Sequence, residues 1–354
     1  MSWDNVKGVS AAKIWTDNPD MTQAYLFANG NHQVKLTVAI SFVLSNTTES
    51  GPTEDEVKAA ITLIDYQTSA GLSHLKTGDK GTYAAVYQPN SPVAIKAVED
   101  SNTGAYQYEF DYYISSDSTI NASYMSEEVA LLISYTGSDG KPVSYSTASG
   151  SKSQSSVKVT VEPPKKYGTS VSNLMPIIFD TIDDQFHVEP TWGKQYISQT
   201  STPTASTYAV RIDDSYFRIS YFKTSNTPVS PYAFLQHTLS NDSGHDDYAY
   251  EYAHSFLLVN QPQYNKINNY DINLYIQDST SENLVQYSGK PTQGPGVILF
   301  VRIHCSIEYY ETRGTPLAES SGPAIFTVYD QFGNTADVTV KGDSNGNLSL
   351  DSVL

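Results

Sequence analysis

Apolar and polar residues alternate one by one along much of the chain, and that period leaves few folds open. In Val34-Lys35-Leu36-Thr37-Val38-Ala39-Ile40-Ser41-Phe42, the residues Val34, Leu36, Val38, Ile40 and Phe42 fall on one side of an extended backbone. Lys35, Thr37 and Ser41 fall on the other. Successive side chains of a strand point to opposite faces, so the segment reads as a strand with one face buried. Val129, Leu131, Ile133 and Tyr135 repeat the pattern, as do Val157, Val159 and Val161. The longest instance is Val297 to Tyr310, with Val297, Leu299, Val301, Ile303, Cys305, Ile307 and Tyr309 on one side and Arg302, His304, Ser306 and Glu308 on the other.

Turn and cap signals punctuate these strands. Ala28-Asn29-Gly30-Asn31 carries Asn-Gly, the strongest short hairpin signal, so Tyr25-Leu26-Phe27 is expected to pair back on residues 32–42. Ser138-Asp139-Gly140-Lys141 predicts a second tight turn, with Val143 to Ser146 returning. Thr53 followed by Glu56 has the spacing of a capping box, and Glu54, Asp55 and Glu56 suit the positive end of a helix dipole. One short helix is therefore expected, ending near Ala60, with Ile61 to Tyr66 as the next strand. Tyr106 to Ile114 reads as a further strand.

Glu162-Pro163-Pro164-Lys165-Lys166-Tyr167-Gly168 interrupts the strands, since proline cannot donate to a ladder. It sets an expected division into residues 1–163 and 164–354. In the second part strands are expected at Tyr208–Ile212, Tyr216–Phe222, Ser255–Val259, Asp271–Gln277 and Asn283–Tyr287. The chain then closes with Ile325-Phe326-Thr327-Val328-Tyr329, a turn at Gln331-Phe332-Gly333-Asn334 and a return over Asp337–Val340. That ending resembles the closing hairpin of bacterial immunoglobulin-like domains, a resemblance confined to these residues that implies a fold and no activity. The expected class is all-β: two tandem antiparallel β-sandwiches, immunoglobulin-like or jelly-roll-like, with one short helix.

Charge and composition narrow the partners. Lys and Arg number 21 against 38 Asp and Glu, a formal net charge of -17. Such a field repels phosphate backbones, so no nucleic-acid partner is expected. No apolar run approaches the roughly 18 residues of a membrane-spanning helix, so no membrane span is expected. The start, Met1-Ser2-Trp3-Asp4-Asn5-Val6, lacks the basic and apolar regions of a secretory signal. The expectation is cytoplasmic synthesis, with release or export as part of an extracellular assembly. A single cysteine, Cys305, leaves no internal disulfide to staple the fold.

Motifs with chemistry are scarce. Cys305 alternates with Ile303 and Ile307, a setting for a small buried residue rather than a reactive thiolate, and His304 points to the other face. The seven histidines lack zinc-site spacing. Acidic groupings at Asp180, Asp183, Asp184, His187 and Glu189, at Asp242, His245, Asp246 and Asp247, and at Asp343, Asn345, Asn347 and Asp351 read as solvated loops. No metal site and no cofactor are expected, with calcium on these acidic loops left open. There is no Gly-x-Ser-x-Gly elbow, phosphate loop or dinucleotide fingerprint.

Tyrosine is the compositional outlier, at 27 residues against 12 Phe and 3 Trp. A tyrosine offers a large flat apolar face, few rotors and a polar tip, which suits protein contacts and sugar rings. Tyr248, Tyr250 and Tyr252 alternate with Ala249, Glu251 and Ala253 directly after Asp246 and Asp247, and these five residues form the candidate binding surface. Cross-strand packing accounts for many of the other tyrosines. The function expected first is a non-enzymatic structural or recognition protein, self-associating in a particle or touching a cell surface. Two further readings stay open: a glycan-binding module or receptor-docking toxin subunit, and a polysaccharide-active enzyme.

Overall fold

A computed structural model describes residues 2–18, 20–89, 107–116, 125–169, 174–182, 187–190, 197–199, 204–224, 233–238, 250–258, 272–276, 282–288, 296–304, 307–309, 323–342 and 348–354. The chain is mostly β-strand in several sheets, largely antiparallel, with one short α-helix among the described residues. It divides into two compact units, Met1–Lys165 with Phe332–Asn334, and Lys166–Gln331 with Thr335–Leu354.

The first unit holds β1 (Val6–Thr16), β2 (Gln23–Phe27), β3 (Gln33–Leu44), β4 (Ile61–Asp65), β5 (Leu75–Gly78), β6 (Tyr108–Ser116), β7 (Met125–Thr136), β8 (Pro142–Ser146) and β9 (Val157–Glu162). One sheet runs β1-β3-β6-β5 and the other β2-β9-β7-β4, with β8 also on β7. The apolar residues that alternate in sequence are buried, although Thr37 and Ala39 between them on β3 are buried as well. Val34, Leu36, Val38, Ile40 and Phe42 meet Val129, Leu131, Ile133, Val157, Val159 and Val161 in one core. Burying a side chain of that size is worth roughly 1.5–3 kcal/mol, and with no disulfide this core holds the unit together. Helix α1 (Glu54–Ala60) starts as expected: the Thr53 N–H donates to Glu56 Oε2 at 2.8 Å, and the Glu56 N–H donates to Thr53 Oγ1 at 3.4 Å.

The hairpin expected at Asn29-Gly30 is not formed. The turn exists, with Gly30 at φ 72°, but β2 pairs in parallel with β9 while β3 lies between β1 and β6 in the other sheet. Asn29 Oδ1 accepts the N–H groups of Asn31 and His32, which carries the chain from one sheet to the other instead of back along the same one. Alternation fixes which face of β3 is buried; it does not name the neighbour.

The second unit holds β10 (Tyr167–Gly168), β11 (Met175–Ile182), β12 (His187–Pro190), β13 (Ile197–Gln199), β14 (Thr204–Ile212), β15 (Ile219–Thr224), β16 (Ala233–Thr238) and β17 (Tyr250–Leu258). It continues with β18 (Ile272–Ile276), β19 (Glu282–Ser288), β20 (Val297–His304), β21 (Ile307–Tyr309), β22 (Ala324–Asp330), β23 (Thr335–Gly342) and β24 (Leu348–Val353). The main sheets run β10-β11-β14-β20-β17-β16 and β15-β22-β23-β24. Phe300 of one and Phe326 of the other meet edge to face at 5.5 Å, so their inner faces pack together. Two pairings, β2 with β9 and β10 with β11, are parallel, which corrects a wholly antiparallel expectation.

The single strand expected over Val297 to Tyr310 is two, β20 and β21, in different sheets. At its start it does not alternate in burial: Val297, Ile298, Leu299 and Phe300 are all buried, because β20 is flanked by β14 and β17 and covered on both faces.

Candidate functional site

Among the described residues, the clearest concave site lies in the first unit. It is a groove of about 630 Å³ beside the edge strand β1, open to solvent. Its walls come from β1, the start of β2, the end of β4, and β7 and β9 with the segment leading into β9. That volume sits within the range typical of small-ligand sites.

The edge of β1 is closed at this point. The Ile14 N–H donates to Ser155 Oγ at 3.0 Å, and that hydroxyl donates to the Ile14 carbonyl at 3.3 Å. One serine thus takes both ladder positions of Ile14, the role a neighbouring strand would have. Thr147 holds Ser155 in place. It is fully buried, its Oγ1 accepts the Leu131 N–H at 3.0 Å and donates to the Ser155 carbonyl at 2.7 Å, and its own N–H donates to the Leu131 carbonyl.

The oxygens that line the groove are already engaged. Tyr66 donates its hydroxyl to Gln154 Oε1 at 3.0 Å, and Tyr25 donates to Gln23 Oε1 at 3.0 Å. Glu128 Oε1 accepts from Ser156 Oγ at 2.6 Å, and its Oε2 accepts from Gln67 at 3.4 Å. The donors are not engaged in this way. Lys158 stands opposite Glu128 in the β7–β9 ladder but is not ion-paired among the described residues, and Lys13 lies 5.2 Å from the Trp15 ring without a carboxylate. The charged groups of the lining are these two lysines and Glu128, a local excess of positive charge in a chain at -17. Some cations elsewhere are matched: Lys35 meets Asp17 at 3.0 Å, and Arg211 meets Asp180 and Asp213 at 3.2 Å each.

Other buried polar groups read as structure. Glu127 accepts the N–H groups of Ser73 and His74 at 2.7 and 3.1 Å. Tyr167 donates to the buried Asp330 at 2.6 Å, and burial, with the Asp330 carboxylate beside it, pushes the Tyr167 phenol far above its usual range. Tyr112 has a buried hydroxyl with no partner among the described residues, and burial pushes it up to about 12.

Of the five residues singled out from the sequence, Tyr248, Asp246 and Asp247 lie outside the described residues. Tyr250 and Tyr252 belong to β17, opposite Thr238 and His237 of β16. The register shifts between those two pairings. Of the acidic groupings, Asp180 is ion-paired on β11, Asp351 is ion-paired with Lys341, and Asp183, Asp184, Asp242, His245, Asp343, Asn345 and Asn347 lie outside the described residues, as does Cys305. No group of three or more metal-ligating side chains occurs among the described residues.

Sequence reasoning missed the groove. Its lining is drawn from residues 13–15, 21–23, 66, 128, 154–156 and 158, and no spacing rule joins positions that far apart. The one local hint was the polar run Ser149 to Ser156, long for a plain turn.

No protein-family profile matches the chain, and no curated protein matches it. Among solved structures it is similar to a protein of unknown function from Porphyromonas gingivalis W83, at 8% identity and a TM-score of 0.19, over 93% of this chain and 97% of that one. A score that low carries no weight for fold or function.

Proposed function

We propose that the protein is a non-enzymatic structural or recognition protein, one that works by contact within an assembly or at a cell surface. The observation that carries this reading is the groove beside β1, which offers hydrogen-bond donors on a mixed apolar and polar floor while its acceptors are tied to the protein. That is the chemistry of holding a ligand. Glycoside hydrolysis uses two carboxylates facing each other across the substrate, and the described lining has Glu128 alone, bound by Ser156. Tyr221, 42% exposed and 5.5 Å from the ring of Tyr329, adds an aromatic contact point on the β15–β22 pair.

Light scattering over a wide concentration range, run beside a glycan array, tests the reading. Either concentration-dependent association or ligand capture is expected. A protein that stays monomeric at every concentration and leaves the array blank overturns it.

A further inference from the structure

We propose that the groove beside β1 binds an acidic saccharide, one bearing carboxylate or sulfate groups, with Lys13 and Lys158 as the charge-reading residues. The inference rests on the recognition reading and deepens it by naming the ligand class.

Three features of the groove lead there. The first is polarity of hydrogen bonding. Gln154 Oε1, Gln23 Oε1 and Glu128 Oε1 each accept from a protein hydroxyl, and neither Lys13 nor Lys158 is ion-paired among the described residues, so the hydrogen-bonding capacity left over in the lining is weighted towards donors. A site that presents donors selects a ligand rich in acceptors, and charge-assisted bonds to an anion are about twice as strong as neutral ones.

The second is charge. Two lysines and one carboxylate line the groove, so an anion is favoured locally although the chain as a whole repels anions. A long polyanion would meet that general repulsion along its length, whereas a short acidic oligosaccharide meets chiefly the groove.

The third is the closed edge. An acidic peptide would normally enter beside an edge strand by adding to its ladder. Ser155 Oγ already takes both the N–H and the carbonyl of Ile14, so main-chain pairing is blocked at Ile14. A sugar needs no ladder. Its hydroxyls and acid groups can bond to amide and ammonium donors while its ring rests against the half-buried Tyr66.

The test is calorimetric titration of the full chain with trigalacturonate, with its fully methyl-esterified form, and with a heparin tetrasaccharide. Binding of an acidic probe is expected, weakened at least about tenfold by Lys13→Gln/Lys158→Gln and by added salt. Trigalacturonate against heparin separates carboxylate from sulfate as the preferred group. The inference is overturned if neither acidic probe binds, if the methyl ester binds as well as the acid, or if the double variant binds unchanged. Circular dichroism and urea unfolding of the variant confirm that its fold is intact, since Lys158 is exposed and Lys13 half-exposed. Saccharide binding that ignores both substitutions rejects this site and leaves the recognition reading standing. A stubborn monomer that binds no ligand of any kind rejects the reading itself.

Discussion

His32 is wholly buried among the rings of Phe27, Tyr87 and Phe332 in the first unit. Its Nδ1 accepts the Phe27 N–H at 3.1 Å, so the ring proton sits on Nε2, which donates to the Ala85 carbonyl at 3.0 Å. Burial lowers the imidazole to about 4, from 6.5 in an unfolded chain. The unfolded state therefore binds the proton first. Stability from this residue is complete above about pH 6.5 and falls as the pH drops towards 4, on the order of 1 kcal/mol per pH unit. Urea unfolding at several pH values across that window should show the loss in the wild type and a shallower one in His32→Gln. Equal slopes would mean that His32 does not set the acid response. None of this is legible in the sequence, where His32 is one polar residue after Asn29-Gly30-Asn31.

Strands were legible where every second residue is large and apolar. In β3, β7 and β9 the apolar residues that alternate in sequence are all buried, and Thr37, Ala39 and Ala130 between them are buried too. Helix α1 was legible for another reason: a capping box is local chemistry and needs no tertiary partner. β1 was not legible. Its sequence, Val6-Lys7-Gly8-Val9-Ser10-Ala11-Ala12-Lys13-Ile14-Trp15-Thr16, lacks a clean period, and two irregularities in its register with β3 explain why. The hairpin at Asn29 failed for want of information about neighbours. The turn between β8 and β9 gives a direct test of an element held by side chains. Thr147→Val keeps the shape but leaves the Leu131 N–H and the Ser155 carbonyl without the Thr147 hydroxyl. A loss of at least about 2 kcal/mol in urea unfolding is expected, since each buried group left unpaired costs roughly 1–3 kcal/mol. A loss under half a kcal/mol would show that the hydroxyl is replaceable there.

The whole chain carries a charge of -17, and among the described residues few ion pairs offset it. Exposed ion pairs such as Lys141 with Asp139 are worth about 0–1 kcal/mol each, so general repulsion outweighs them. Salt screens that repulsion within a Debye length of about 10 Å at 0.1 M. The melting temperature should therefore rise as sodium chloride is added from about 20 to about 200 mM, as followed by calorimetry. A fall would place the balance with specific ion pairs instead. Among the described residues no helix is long and apolar enough to cross a membrane.

The parallel pairing of β2 with β9 has a consequence for the order of events at the ribosome. Gln23–Phe27 lies in register with Lys158–Glu162, so an early-made strand has no ladder until a much later one emerges. Contacts this distant in sequence slow folding, because loop closure must come before the contact repays it. Through most of its synthesis the first unit is a nascent chain with one sheet lacking its outer pair. An unpaired strand is an invitation to other chains. The β2–β9 ladder can thus form only once β9 has been made, and the unit is complete only with Phe332–Asn334.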